Sequence, residues 1–186
     1  MSAFRLTFGI DPGLTGAVVT LLDGVAGPMI DMPTQRVGDW GEIDARALAL
    51  FIREQRAAHP GAYVSACIEK VGAMPGDGGT SAFRFGETSG AIKAVLSVLG
   101  IPCTRAIPAV WKRSFGLTGQ PKDSARVQAI RRFPEVAEQL KRKKDNGRAD
   151  ALWIALWHEQ TQMGGVDASS SADPRARAHV CSGAAA

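Results

Sequence analysis

Apolar and polar residues alternate from the start of the chain. Phe4, Leu6, Phe8 and Ile10 are separated by Arg5, Thr7 and Gly9, the two-residue period of a strand, which ends at Asp11. Pro12-Gly13 marks a turn. Two further apolar runs, 15–22 and 25–31, meet at Asp23-Gly24, a dipeptide suited to a tight hairpin, so three antiparallel strands open the chain. Over 39–58 the period lengthens to that of a helix, with Ile43, Ala47, Leu50 and Phe51 along one face. A short strand over 63–69 ends, like the first, on an acid, Glu69. A Gly-rich loop over 71–80 leads into a long helix over 81–99, stopped by Gly100-Ile101-Pro102. A strand over 103–107, a polar connection over 108–120 and a short basic helix over 123–133 follow. The last helix covers 148–163, with Trp153 and Trp157 one turn apart as core residues. The order βββαβαβα predicts an α/β domain over residues 1–163. From Gly164 onward Ser, Ala, Gly and Arg dominate without periodicity, which predicts a disordered tail over 164–186.

Composition narrows the class. Hydrophobic residues make up 45% of the 186, enough for a core and too many for a disordered chain. Three cysteines exclude a disulfide-stapled mini-protein: Cys67 and Cys103 fall in strands and Cys181 in the tail. The sequence has no run of apolar residues long enough to span a membrane and no signal-peptide core at its start, so a cytoplasmic protein without membrane contact is expected.

Charge changes the picture more. The net +4 is unevenly spread: residues 105–150 carry twelve Lys/Arg against five acids, a segment of +7 beside a remainder of −3. Such asymmetry suggests a nucleic-acid partner, the alternative being a solvated helical face. For Arg131 and Arg132 the exposed face is the better reading.

Three acids stand where chemistry gathers. Asp11 and Glu69 close strands and Asp150 lies in the first turn of the last helix. Gly9, on the same strand face as Asp11, leaves room for close approach there, and a terminal helix crossing the sheet would bring Asp150 to the same spot. Three carboxylates together repel one another unless a hard cation joins them, Mg²⁺ or Mn²⁺ being natural occupants. Two such ions about 3.5–4 Å apart activate water and stabilise the leaving oxygen of a phosphodiester. Singly, each acid is as well explained as a turn residue or a helix-dipole partner. His59, His158 and His179 lack metal-ligand spacing.

Phe8-Gly9-Ile10-Asp11-Pro12-Gly13-Leu14-Thr15-Gly16 resembles the first motif of the RuvC-type Holliday junction resolvases of the ribonuclease H-like superfamily. Cys67-Ile68-Glu69 resembles their second acidic motif, and Arg148-Ala149-Asp150-Ala151-Leu152 with Ile154-Ala155 their last. Pro108-Ala109-Val110-Trp111-Lys112 and Lys122-Asp123-Ser124-Ala125-Arg126 look more like phage and organellar relatives than the main bacterial branch. The likeness spans residues 4–160. It implies a five-stranded mixed sheet flanked by helices, a homodimer, and incision of four-way DNA junctions with two Mg²⁺ per site, Mn²⁺ substituting. It leaves open a cytoplasmic, nucleoid-associated setting or an organellar one, and any branch-migration partner.

The family commonly carries a fourth ligand, His or Asp, three residues before the last Asp, and here that position is Gly147. On a continuous helix Asp145 would point about 140° from Asp150. If the helix starts near Asn146, Asp145 lies outside it and curls back, and it is the expected fourth carboxylate. The alternative is a solvated acid neutralising the Lys141-Arg142-Lys143-Lys144 run.

Expected phosphate contacts are Lys112, Lys122, Arg126, Lys141, Arg142, Lys143, Lys144 and Arg148, with Arg84 beside the loop. Lys112 or Lys122 is also placed to stabilise transition-state charge, Lys122 being grouped with the catalytic residues. Met74 and Phe83 are candidate wedges against unstacked bases, Phe83 and Phe85 equally candidate core. The loop is no P-loop, because Thr80 follows Gly79 where a Lys is required. Gly86 and Gly90, one helical turn apart, suit a dimer interface or packing onto the chain's own sheet. Two other functions remain open at this level: a non-catalytic junction-binding protein, and an actin-like or sugar-kinase-like ATPase, whose phosphate motif Asp11-Pro12-Gly13-Leu14-Thr15 also resembles. The ATPase reading requires a second domain for which this chain has no room.

Overall fold

A computed structural model describes residues 4–70, 72 and 78–166. Its main sheet is built of β1 (Arg5–Asp11), β2 (Ala17–Leu22), β3 (Val25–Asp31), β6 (Tyr63–Glu69) and β7 (Cys103–Ala106), in the order β3-β2-β1-β6-β7. The first three strands are antiparallel neighbours, while β6 pairs parallel with both β1 and β7. This is the five-stranded mixed α/β sheet expected. The β2–β3 turn places both Asp23 (φ 46°) and Gly24 (φ 82°) in the left-handed region, as a two-residue hairpin of this twist requires.

The period-two pattern of β1 sorts the core into two layers. Leu6, Phe8 and Ile10 point to one face, joining Leu48 and Ile52 of α1 (Ala45–Ala58) and Ile92 and Leu96 of α2 (Gly79–Val98). The opposite face receives α5 (Asn146–Val166), whose Ala151, Leu152 and Ala155 pack with Val19, Leu21 and Cys67. Gly9 is what lets α5 lie against β1. A Cβ there would collide with the Ala151 carbonyl oxygen and stand 2.8 Å from Ala155 Cβ.

Several expected boundaries differ. The helix expected over 39–58 begins only at Ala45; before it β4 (Thr34–Val37) and β5 (Trp40–Ile43) form a separate antiparallel hairpin. Gly38 (φ 60°) makes the hairpin turn, and Asp44 caps α1, its Oδ1 accepting from Ala47 N at 2.9 Å. Consequently Leu50 is exposed, and Leu48, Phe51 and Ile52 form the buried stripe. The connection over 108–120 holds a helix, α3 (Pro108–Ser114), with Pro108 in its first turn where no amide is needed. Next come α4 (Ser124–Arg132) and 3₁₀ segments at Pro134–Leu140 and Lys143–Asp145. Trp153 is buried as expected, between Phe115 and Phe133. Cys103 is exposed rather than packed. Gly86 and Gly90 face open space, so packing onto the chain's own sheet is not their role. Among the described residues no helix is long and apolar enough to cross a membrane. Residues 164–166 continue α5 instead of opening the expected tail, and the rest of that tail, with His179 and Cys181, lies outside the described residues.

Candidate active site

Strand register brings the first two acids side by side. Ile10 pairs with Ile68 across the parallel β1–β6 ladder, so the next residues, Asp11 and Glu69, leave the sheet together at its carboxyl edge. Asp11 shares its face with Gly9, and Glu69 with Cys67, which is the face α5 covers. The close approach of α5 at Gly9 carries Asp150, one residue before Ala151, to the same edge.

The three carboxyls are electrostatically coupled. Burial pushes the Asp11 carboxyl up, opposed by the Gly13 amide and the Lys112 ammonium. Burial and then the Asp11 charge push Glu69 up; Trp111 and Lys112 pull it back, and Asp150 adds to the rise. Burial pushes Asp150 up to about 6, with Lys112 and Lys122 lowering it and Asp11 raising it. Lys112 is thus the cation that all three carboxyls sense.

Trp111 is the residue whose role sequence reasoning missed. It is fully buried, and its Nε1 donates to Glu69 Oε1 at 3.1 Å. A buried indole N–H usually finds an acceptor, so a Trp beside a motif lysine and a strand-end acid was the available signal.

Lys122 and Asp150 line a cleft of about 160 Å³ with Lys112, Leu117, Gln120 and Asn146. Asn146 Oδ1 is buried with no hydrogen-bond partner. Among the described residues no three His, Cys, Asp or Glu side chains are drawn into a ready-made metal cage. The donor chemistry nevertheless fits a hard divalent cation: carboxylate and amide oxygens, no sulfur or imidazole, and carboxyls raised by burial and by one another.

Asp145 is placed otherwise than expected. Helix α5 does begin at Asn146, yet the Asp145 carboxylate turns to Arg142, accepting from its Nε and its backbone N at 2.8 Å each. Burial alone would raise this carboxyl; the hydrogen bonds and charge of Arg142, with the charge of Arg148, outweigh it and hold the group below its ordinary range. It is neither solvated nor joined to the three acids. A Cβ at Gly147 would instead stand 3.2 Å from Asp11 Oδ2, so the position next to Asp11 carries no side chain.

The expected phosphate contacts divide. Arg126 is buried, forked on Asp123 through two 2.7 Å bonds, and donates to the Leu140 carbonyl at 2.9 Å, so it is a clamp within the fold and not a DNA contact. Arg148 donates to Asp31 Oδ1 at 2.6 Å and to the Gln139 carbonyl at 3.1 Å. Arg142 is held by Asp145 and reaches Asp31. Lys141 makes an exposed pair with Glu138, while Lys143 and Lys144 are exposed. Phe83 is 66% exposed on α2, which removes its core reading, and Arg84 stacks over the Trp40 ring at 3.5 Å. Met74 lies outside the described residues.

Compared with solved structures, the chain is similar to Thermus thermophilus RuvC in complex with a Holliday junction substrate. The TM-score is 0.55 at 19% identity, over 86% of this chain and 96% of that one. The chain has the RuvC fold. A second T. thermophilus RuvC structure gives a TM-score of 0.48 at 18% identity, over 86% of this chain and 97% of that one. A segment of 85 residues is 35% identical to the chloroplastic Holliday junction resolvase MOC1 of Chlamydomonas reinhardtii, covering 45% of this chain and 10% of that protein. The match thus spans about a tenth of that relative's length. No known family model matches the chain. In the RuvC fold of this chain the carboxyl edge of the sheet holds Asp11 and Glu69, and α5 supplies Asp150.

Proposed function

We propose that the chain is a divalent-metal-dependent endonuclease that resolves four-way DNA junctions. The observation that carries this reading is the gathering of Asp11, Glu69 and Asp150 around Lys112, on a fold shared with a RuvC bound to a Holliday junction substrate. The 35% identity to a junction resolvase over 85 residues supports the same substrate.

In this reading Asp11, Glu69 and Asp150 hold Mg²⁺, with Mn²⁺ able to substitute. The bound ions supply charge neutralisation and activation of water. Trp111 fixes the Glu69 carboxylate, so that its free oxygen keeps one orientation toward the site. Lys112 offers an ammonium to the phosphate as negative charge develops, with Lys122 further along the cleft doing the same from the Asp150 side. Lys143 and Lys144, exposed on the approach to α5, serve as backbone contacts. The exposed Phe83 and the loop containing Met74 are the wedge candidates. Paired nicks need two active sites, and the open glycine face of Gly86 and Gly90 on α2 suits packing against a second copy.

The test is to incubate the protein with a four-way junction and with a linear duplex of equal length, in Mg²⁺ or in EDTA. Symmetric nicks in the junction alone, and in Mg²⁺ alone, are expected. Tight junction binding without cutting in Mg²⁺ or Mn²⁺ would replace this reading with a non-catalytic binder.

A further inference from the structure

One polar atom buried without a partner lies at the candidate site, and it is Asn146 Oδ1. Asn146 opens α5, lines the same cleft as Asp150 and precedes it by four residues. Side chains four apart on a helix project from one face, so the amide carbonyl and the Asp150 carboxylate are neighbours. A buried acceptor left unpaired is costly, and an ion is one of the few things that explains it in a folded chain.

The two positions that would otherwise supply a fourth oxygen are spoken for. Gly147, whose Cβ would stand 3.2 Å from Asp11 Oδ2, has no donor to give. Asp145 is bound to Arg142 through both carboxylate oxygens. Hard divalent cations accept amide carbonyls alongside carboxylates. We infer that Asn146 Oδ1 is a neutral fourth ligand, completing a divalent-cation site from the Asp150 side. The inference rests on the reading of Asp11, Glu69 and Asp150 as metal ligands.

A neutral ligand has a reason here. Burial raises all three carboxyls, neighbouring acids raise Glu69 and Asp150 further, and Lys112 only partly offsets this. A fourth carboxylate would add to that repulsion in the ion-free chain, whereas an amide adds an oxygen and no charge.

Mn²⁺ binding to the full chain, followed by calorimetry and by the electron paramagnetic resonance signal of free Mn²⁺, tests this without reference to cleavage. Wild type is expected to bind Mn²⁺, and D150N to lose that binding. N146A is expected to weaken it about tenfold, in the range found for groups that tune a metal site. N146D is expected to bind at least as tightly as wild type, since it keeps an oxygen at the same place. It also keeps the test sound should N146A unfold, circular dichroism of each ion-free variant reporting the fold. Should N146A bind like wild type while D150N does not, Asn146 is no ligand and the carboxylate site stands. Equal weakening in N146A and N146D overturns the assignment too, because it shows a need for shape and not for an oxygen. Absence of Mn²⁺ binding by wild type overturns both readings.

Discussion

Trp111 Nε1 donates to Glu69 Oε1 at 3.1 Å, from a side chain with no exposure to solvent. The bond ties α3 to the end of β6 and leaves the other Glu69 oxygen free. W111F keeps most of the buried ring and removes the donor. Cleavage by this variant is expected to fall about tenfold, a hydrogen bond to a charged group contributing on the order of 1.5–3 kcal/mol. Junction affinity in EDTA is expected to be unchanged, because a carboxylate offers a phosphate backbone no attraction and W111F removes no cation. Single-turnover cleavage and a gel-shift titration separate the two.

Asp150 carries a stability consequence whose sign follows from its raised carboxyl, pushed up to about 6 from an ordinary 3.8. The folded state holds this proton more tightly than the unfolded one, so ionisation opposes folding. Stability should therefore fall as pH rises through the window from 3.8 to about 6, and stay low above it. D150N removes the penalty. It should melt several degrees higher than wild type at pH 7.5, for a gain on the order of 1–3 kcal/mol, with the advantage vanishing below about pH 4. Thermal melts of both proteins across pH decide it, in EDTA so that no ion masks the repulsion. An Asp150 without this cost would show parallel curves.

Arg126 and the lysine pair 143–144 call for opposite outcomes. Arg126, forked on Asp123 and bonded to the Leu140 carbonyl, is a fold element. R126A should destabilise by about 1–3 kcal/mol, because it strands the Leu140 carbonyl inside the fold. The salt dependence of junction binding by the folded fraction should stay the same. A K143A/K144A double variant should leave the melting temperature unchanged and reduce the slope of log affinity against log salt by about two. Urea denaturation and binding at several salt concentrations make the comparison.

The arginines also show where the sequence ceases to be legible. The strand pattern alone places Asp11 and Glu69 at strand ends, because period-two alternation fixes both the strand and its last residue. The five-stranded mixed sheet follows from the same alternation together with the resemblance to the family motifs. Charge counting, by contrast, could not see that Arg148 pairs with Asp31, which is 117 residues away. It recorded a basic segment where the fold has partly neutralised one. The sequence pattern merges β5 into the following helix and leaves β4 unassigned, because both strands are four residues long and mostly exposed, with no buried alternation to distinguish them. Asp145 was misplaced for a related reason. Its position outside α5 is as the sequence suggests, but its carboxylate is taken up by Arg142, three residues earlier.

The geometry of the whole site depends on a position with no side chain. α5 crosses β1 at Gly9, where an added Cβ would strike the Ala151 carbonyl oxygen and crowd Ala155. Both obstacles belong to the helix that carries Asp150, and backbone cannot move aside as a flexible side chain can. G9A is therefore expected to push α5 off the sheet and to cost about 1–3 kcal/mol, or more, from overpacking. The larger effect should be on chemistry, because Asp150 moves with α5 while Asp11 and Glu69 stay on their strands. Misplacing one group by about 1 Å can cost on the order of 10²-fold in rate. Cleavage by the folded G9A protein should thus fall by more than its lost stability accounts for, and its Mn²⁺ affinity should fall with it. Full cleavage by a G9A protein that melts like wild type would mean that α5 does not rest on β1 at this point, and the route by which Asp150 reaches the sheet edge would have to be redrawn.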